Sequence, residues 1–158
     1  MIREVVEVVE EKLRGMGFAY IDVDRGQADS EMPSVKMPAA LVQITGVERQ
    51  SGFAGKSFMQ QLTMRVRVLQ VVLGNSSMSA PADQREAWFD FAALVEQVWQ
   101  ELHYNCPELP IEYRGIYFIK RDDGISECEI EFSVSLGTMS AEKAEKKITI
   151  EIEKDGKE

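Results

Sequence analysis

Ile125-Ser126-Glu127-Cys128-Glu129-Ile130-Glu131-Phe132-Ser133-Val134-Ser135-Leu136 is the stretch that decides the fold. Cys128, Ile130, Phe132, Val134 and Leu136 fall on one face, and Glu127, Glu129, Glu131, Ser133 and Ser135 on the other. A period of two over this length means a strand with one buried and one wet face. Ile116-Tyr117-Phe118-Ile119-Lys120-Arg121 precedes it, joined through Asp122-Asp123-Gly124, and Asp-Gly is a strong hairpin signal. The best-patterned region of the chain is therefore an antiparallel pair with an acidic outer surface, and it carries no recognisable catalytic motif.

Outward from this hairpin, two segments change period. Residues 2–15 place Ile2, Val5, Val6, Val9, Leu13 and Met16 at helical spacing, and Gly15 and Gly17 end the run. Trp88, Phe91, Val95, Val98 and Leu102 repeat at 3-4-3-4 spacing, giving an apolar face broad enough to lie across a sheet. Asp83-x-x-Glu86 resembles a capping box at the start of that helix. Phe18–Val23, Ala39–Val47 and a long segment from Phe58 read as strands; Leu62, Met64, Val66 and Val68 alternate with Thr63, Arg65 and Arg67. Past Val68 the alternation breaks, which calls for a bulge or a segment buried on both faces.

The segments 24–38 and 49–57 are polar, aperiodic and glycine-containing, so both are expected to be loops that are mobile in a free subunit and become ordered on assembly. Lys147–Glu153 alternates again, with Ile148, Ile150 and Ile152 on one side. The predicted class is α+β: an antiparallel or mixed sheet packed against one long amphipathic helix plus an N-terminal helix. Residues 1–140 are expected to form a single domain, and 141–158 a charged C-terminal extension with a final strand.

Composition narrows the function classes. A chain of 158 residues with 44% apolar content can bury a sizeable core without disulfide or metal support. The net charge of −9 argues against a general nucleic-acid binder, which needs Lys and Arg to neutralise phosphates. The N-terminus lacks the basic start and apolar run of a signal peptide, and no stretch reaches membrane-spanning length. With only Cys106 and Cys128, the expectation is a soluble protein with free thiols, made in a reducing compartment.

Three motifs have plain structural readings. Gly52-Phe53-Ala54-Gly55-Lys56-Ser57 imitates a phosphate loop, but Gln50 stands where the first glycine belongs and a strand follows instead of a helix. His103 is the only histidine, and with Cys106 and Cys128 it lacks the paired spacing of a zinc site; it reads as a helix C-terminal histidine facing the dipole. Asp122, Asp123, Glu127, Glu129 and Glu131 read as a solvated strand face rather than an acid–base pair. No cofactor and no metal are expected.

In its order of elements the chain resembles the tail-terminator or tail-completion proteins of long-tailed bacteriophages, the group typified by the lambda tail terminator. The resemblance rests on the helix Ile2–Gly15, the proline-led strand Pro38–Ile44 and the arginine-bearing strand Thr63–Val68. The aromatic-rich helix Trp88–Tyr104 and the closing hairpin Tyr117–Leu136 complete it. It spans most of residues 1–138; the extension beyond Gly137 departs from it. The resemblance implies a non-enzymatic structural protein of a phage or prophage tail, a homomeric ring (commonly a hexamer) that caps the tail tube and docks the head. It implies tail-tube and head-completion partners, and a place in the bacterial cytoplasm during assembly and then in the virion. No specific nucleic-acid or membrane binding is implied. Arg65, Arg67, Ile148, Ile150 and Ile152 are the candidate subunit contacts. The competing class is a small ligand-binding or enzymatic α+β domain, its site formed by loops 24–38 and 49–57.

Overall fold

Two helices cover one face of a five-stranded mixed sheet. The computed structural model describes residues 2–51, 58–72 and 79–137. In chain order the elements are α1 (Ile2–Arg14), β1 (Tyr20–Val23), β2 (Ala39–Ser51), β3 (Phe58–Val71), α2 (Ala82–Tyr104), β4 (Ile111–Ile119) and β5 (Ile125–Gly137). The sheet order is β1-β2-β3-β5-β4; β1 runs parallel to β2 and every other pair is antiparallel. This is the α+β class read from the patterning. The final strand expected at 147–153 and the Gly52–Ser57 motif lie outside the described residues.

The period-two reading of β5 holds residue by residue. Cys128, Ile130, Phe132 and Val134 are buried and pair with Val68, Val66, Met64 and Leu62 of β3, which face the same way. Against this face α1 packs through Val5, Val9 and Leu13, and α2 through Phe91, Val95, Val98 and Leu102, so a single core joins both layers. Gly17, at φ 83°, adopts the left-handed conformation that turns the chain away from α1.

One local expectation is revised and two are made specific. The capping box does not form: α2 begins after Pro81, which has no side-chain cap, and Asp83 sits inside the first turn, where its charge suits the helix dipole. The expected β4–β5 hairpin forms, its strands joined by the five-residue loop 120–124, in which Gly124 takes positive φ. The pattern break after Val68 is not a bulge in β3, because its pairing with β5 runs unbroken from Met59 to Val71. It is the other alternative, a segment buried on both faces: Val68 lies under the helices and Leu69 on the far face, under the loop 24–38.

That loop is docked, which corrects the expectation of mobility for 24–38. Ala28 is buried with Ala39, Leu41, Leu69 and Ile125, and Tyr20, Val35 and Met37 pack against them. A polar segment with no period of its own gains order here from a small apolar cluster and from two arginines.

Candidate functional site

The helix-free face of the sheet carries the chain's densest charge cluster. Arg67 of β3 is 9% exposed. Its Nη1 donates to Asp24 Oδ2 (2.9 Å) and Asp29 Oδ1 (2.8 Å), and its Nε donates to Glu127 Oε1 (2.8 Å). Arg121, in the β4–β5 loop, directs all five donors to protein acceptors. Nε and Nη2 hold Asp123 at 3.1 and 2.7 Å, Nη1 reaches Glu127 Oε2 at 2.9 Å, and Nη1 and Nη2 reach the carbonyls of Ala28 (2.7 Å) and Ser30 (2.9 Å). Glu127, 4% exposed, bridges the two guanidinium groups with one oxygen each. Asp123 also accepts from the Met32 backbone N–H at 3.0 Å, so the loop 24–38 is held at several points.

Electrostatics follow from this geometry. Burial works against the Arg67 charge, but the hydrogen bonds it donates to Asp24 and Glu127 outweigh it and the guanidinium is held above its ordinary range. The Arg121 fork holds the Asp123 carboxyl well below the usual carboxylate range. Glu127 therefore does not sit on a solvated strand face, as its alternation suggests: the docked loop converts that end of the face into a buried network. Farther along, Arg65 keeps the exposed character expected of the face. Its side chain is 40% exposed and pairs with Glu131 at 3.2 Å and Glu129 at 3.6 Å.

A cavity of about 410 Å³ opens beside the network, lined by Asp29, Glu31, Arg67, Arg121, Asp122, Asp123, Glu127 and Glu129, with Ile119. Its two cations are already engaged, Arg67 by Asp24, Asp29 and Glu127, and Arg121 by Asp123, Glu127 and two carbonyls of the loop 24–38. Among the described residues no group of three or more His, Cys, Asp or Glu side chains is placed to hold a metal ion. His103 Nδ1 lies 3.2 Å from both the Tyr113 N–H and the Ile111 carbonyl, tying the end of α2 to β4. Cys106 and Cys128 are free and buried, and burial pushes the Cys128 thiol up to about 12.

The structure brings Arg67 together with Asp24, Asp29, Glu127 and Arg121. Sequence reasoning missed Asp24, Asp29 and Arg121 because they lie in loops, where no period assigns a side chain to a face. Ile148, Ile150 and Ile152 lie outside the described residues.

The sheet's edges are its second feature. On its outer side β2 is paired by β1 only from Ala39 to Val42, which leaves Gln43–Ser51 without a strand partner among the described residues. At the opposite edge β4 exposes Tyr117 (52%), Phe118 (57%) and Ile119 (40%). No described helix is long and apolar enough to cross a membrane.

No family model matches the chain, and no curated protein matches it. Among solved structures, one chain of a "Virion of native gene transfer agent (GTA) particle" is similar at 11% identity and a TM-score of 0.42, covering 84% of this chain and 94% of that one. A likeness this slight carries no conclusion about function.

Proposed function

We propose that the chain is a non-enzymatic structural subunit of a phage or prophage tail, which self-associates into a ring that caps the tail tube at the head–tail junction. The observation that carries this reading is the pair of sheet edges, β2 beyond Val42 and β4, that have no outer strand partner among the described residues, at opposite sides of one subunit. Unpaired strands are templates for another chain, and a contact between two different surfaces of the same protein closes into a ring when its rotation closes. The element order adds support, since the N-terminal helix, proline-led strand, arginine-bearing strand, aromatic helix and closing hairpin occur in the succession that the tail-terminator resemblance implies. Arg65 is the better of the two arginine candidates for a subunit contact, because its side chain is partly exposed while Arg67 is enclosed within its own subunit.

Native mass spectrometry tests the reading. One closed oligomer of uniform subunit number is expected, and it should block further growth when added to a polymerising tail tube. A protein that stays monomeric at tens of micromolar, or an oligomer with no effect on tube growth, overturns it.

A further inference from the structure

The unpaired length of β2 is bordered by a groove. Ile2 and Val6 of α1 form one wall, Val23 and Asp24 close one end, and Val42, Gln43 and Ile44 form the floor, enclosing about 620 Å³. Ile2 is 44% exposed, and Val47, farther along β2 on the helix-side face, is 46% exposed. The place where a sixth strand would lie therefore offers backbone that pairs with no described strand on one side and partly exposed apolar side chains below, flanked by Arg3, Glu7 and Glu10 of α1. Such a strand needs to be about seven residues long, apolar on one face and polar on the other.

Lys147-Ile148-Thr149-Ile150-Glu151-Ile152-Glu153 has that pattern. The point from which this segment leaves the described sheet lies on the other side of the β2–β3 hairpin from its own groove. The segment follows Gly137, the end of β5, after nine residues (138–146). Gly137 is aligned with Met59 and Gln50, two strands in from the free side of β2. To reach its own groove the chain must cross both β3 and β2, at the end where that hairpin continues past Gly137 to the Ser51–Phe58 pair. Nine residues span at most about 30 Å, a length that can enter the groove of an adjacent copy without crossing the segment's own β3 and β2.

We infer that Ile148, Ile150 and Ile152 of one subunit enter the α1–β2 groove of a second copy of this chain, adding a strand to its sheet and covering Ile2, Val6, Ile44 and Val47. This rests on the ring reading above, but sets a donated strand rather than the neighbour's β4 edge against the open length of β2: donor tail and acceptor groove are different surfaces, so each subunit gives one and receives one.

Cross-linking of full-length chains tests it. Ile44→Cys and Ile150→Cys are placed in separate chains of different mass, co-expressed and oxidised; the native cysteines are buried and contribute little background. The expected product is a disulfide-linked heterodimer, with Phe118→Cys at the β4 edge capturing none, and Ile150→Asp reducing the oligomer to monomer. Three results overturn the inference: no link between the two chains, a link to Phe118→Cys instead, or a double variant that links only within one chain. Light scattering on the unaltered protein separates the two ideas. An oligomer that fails to cross-link refutes the docking alone, whereas a monomer refutes the ring as well.

Discussion

Replacing Arg67 with methionine is the most direct probe of how the helix-free face is held. The guanidinium is 10% exposed in its side chain and faces Asp24 at 5% and Glu127 at 3%. Removing the cation leaves two buried carboxylates, of which Glu127 keeps Arg121 and Asp24 loses its ion pair. Breaking a buried pair from one side costs about 3–5 kcal/mol, and the remaining Arg121 contact places this case near about 3. Arg65→Met is the control. Its side chain is 40% exposed with partners at 24%, so its loss should cost about 0–1 kcal/mol. With a urea m-value of about 2 kcal/mol/M, Arg67→Met should lower the unfolding midpoint by about 1.5 M and Arg65→Met by less than about 0.5 M. Hydrogen exchange should also accelerate at residues 24–32, which the cluster pins, while β5 keeps its protection until global unfolding. Equal midpoint shifts for the two variants, or unchanged exchange in the loop, would refute the claim that this cluster is a structural clamp.

Three further outcomes follow from the same structure. Arg121→Met should free the loop 24–38, seen as proteolytic cleavage near Ser30 in the otherwise folded protein, since it removes the contacts to the Ala28 and Ser30 carbonyls and to Asp123; a resistant loop would contradict the anchoring. The Asp123 carboxyl is depressed in the folded state, so its contribution is present above the unfolded value of about 3.9 and is lost as pH falls below it. Thermal melts should therefore drop steeply between about pH 4 and pH 2, and the drop should be shallower in Asp123→Asn; parallel profiles would count against this. Cys128 is fully buried with its thiol near 12, so thiol reagents at pH 8 should label it only after denaturation, and rapid labelling of the native protein would show that the β3–β5 core opens.

Periodicity by itself determined the class of fold, the inward faces of α1 and α2, and the buried row Cys128, Ile130, Phe132 and Val134. These are local properties: a regular backbone repeats its geometry, so a side chain's position in the repeat assigns its face before any partner is known. What only the tertiary structure decided is the order of the strands, the parallel pairing of β1 with β2, and the fate of the acidic face. Alternation marks Glu127 as facing away from the helices, and that is correct. It cannot report that Asp24, Asp29 and Arg121, from two loops far apart in the chain, close over it. Long-range convergence of aperiodic segments leaves no repeat in the sequence. For the same reason Arg67 and Arg65, two residues apart on one strand face, look alike in the sequence. The docked loop buries the first and leaves the second partly in water.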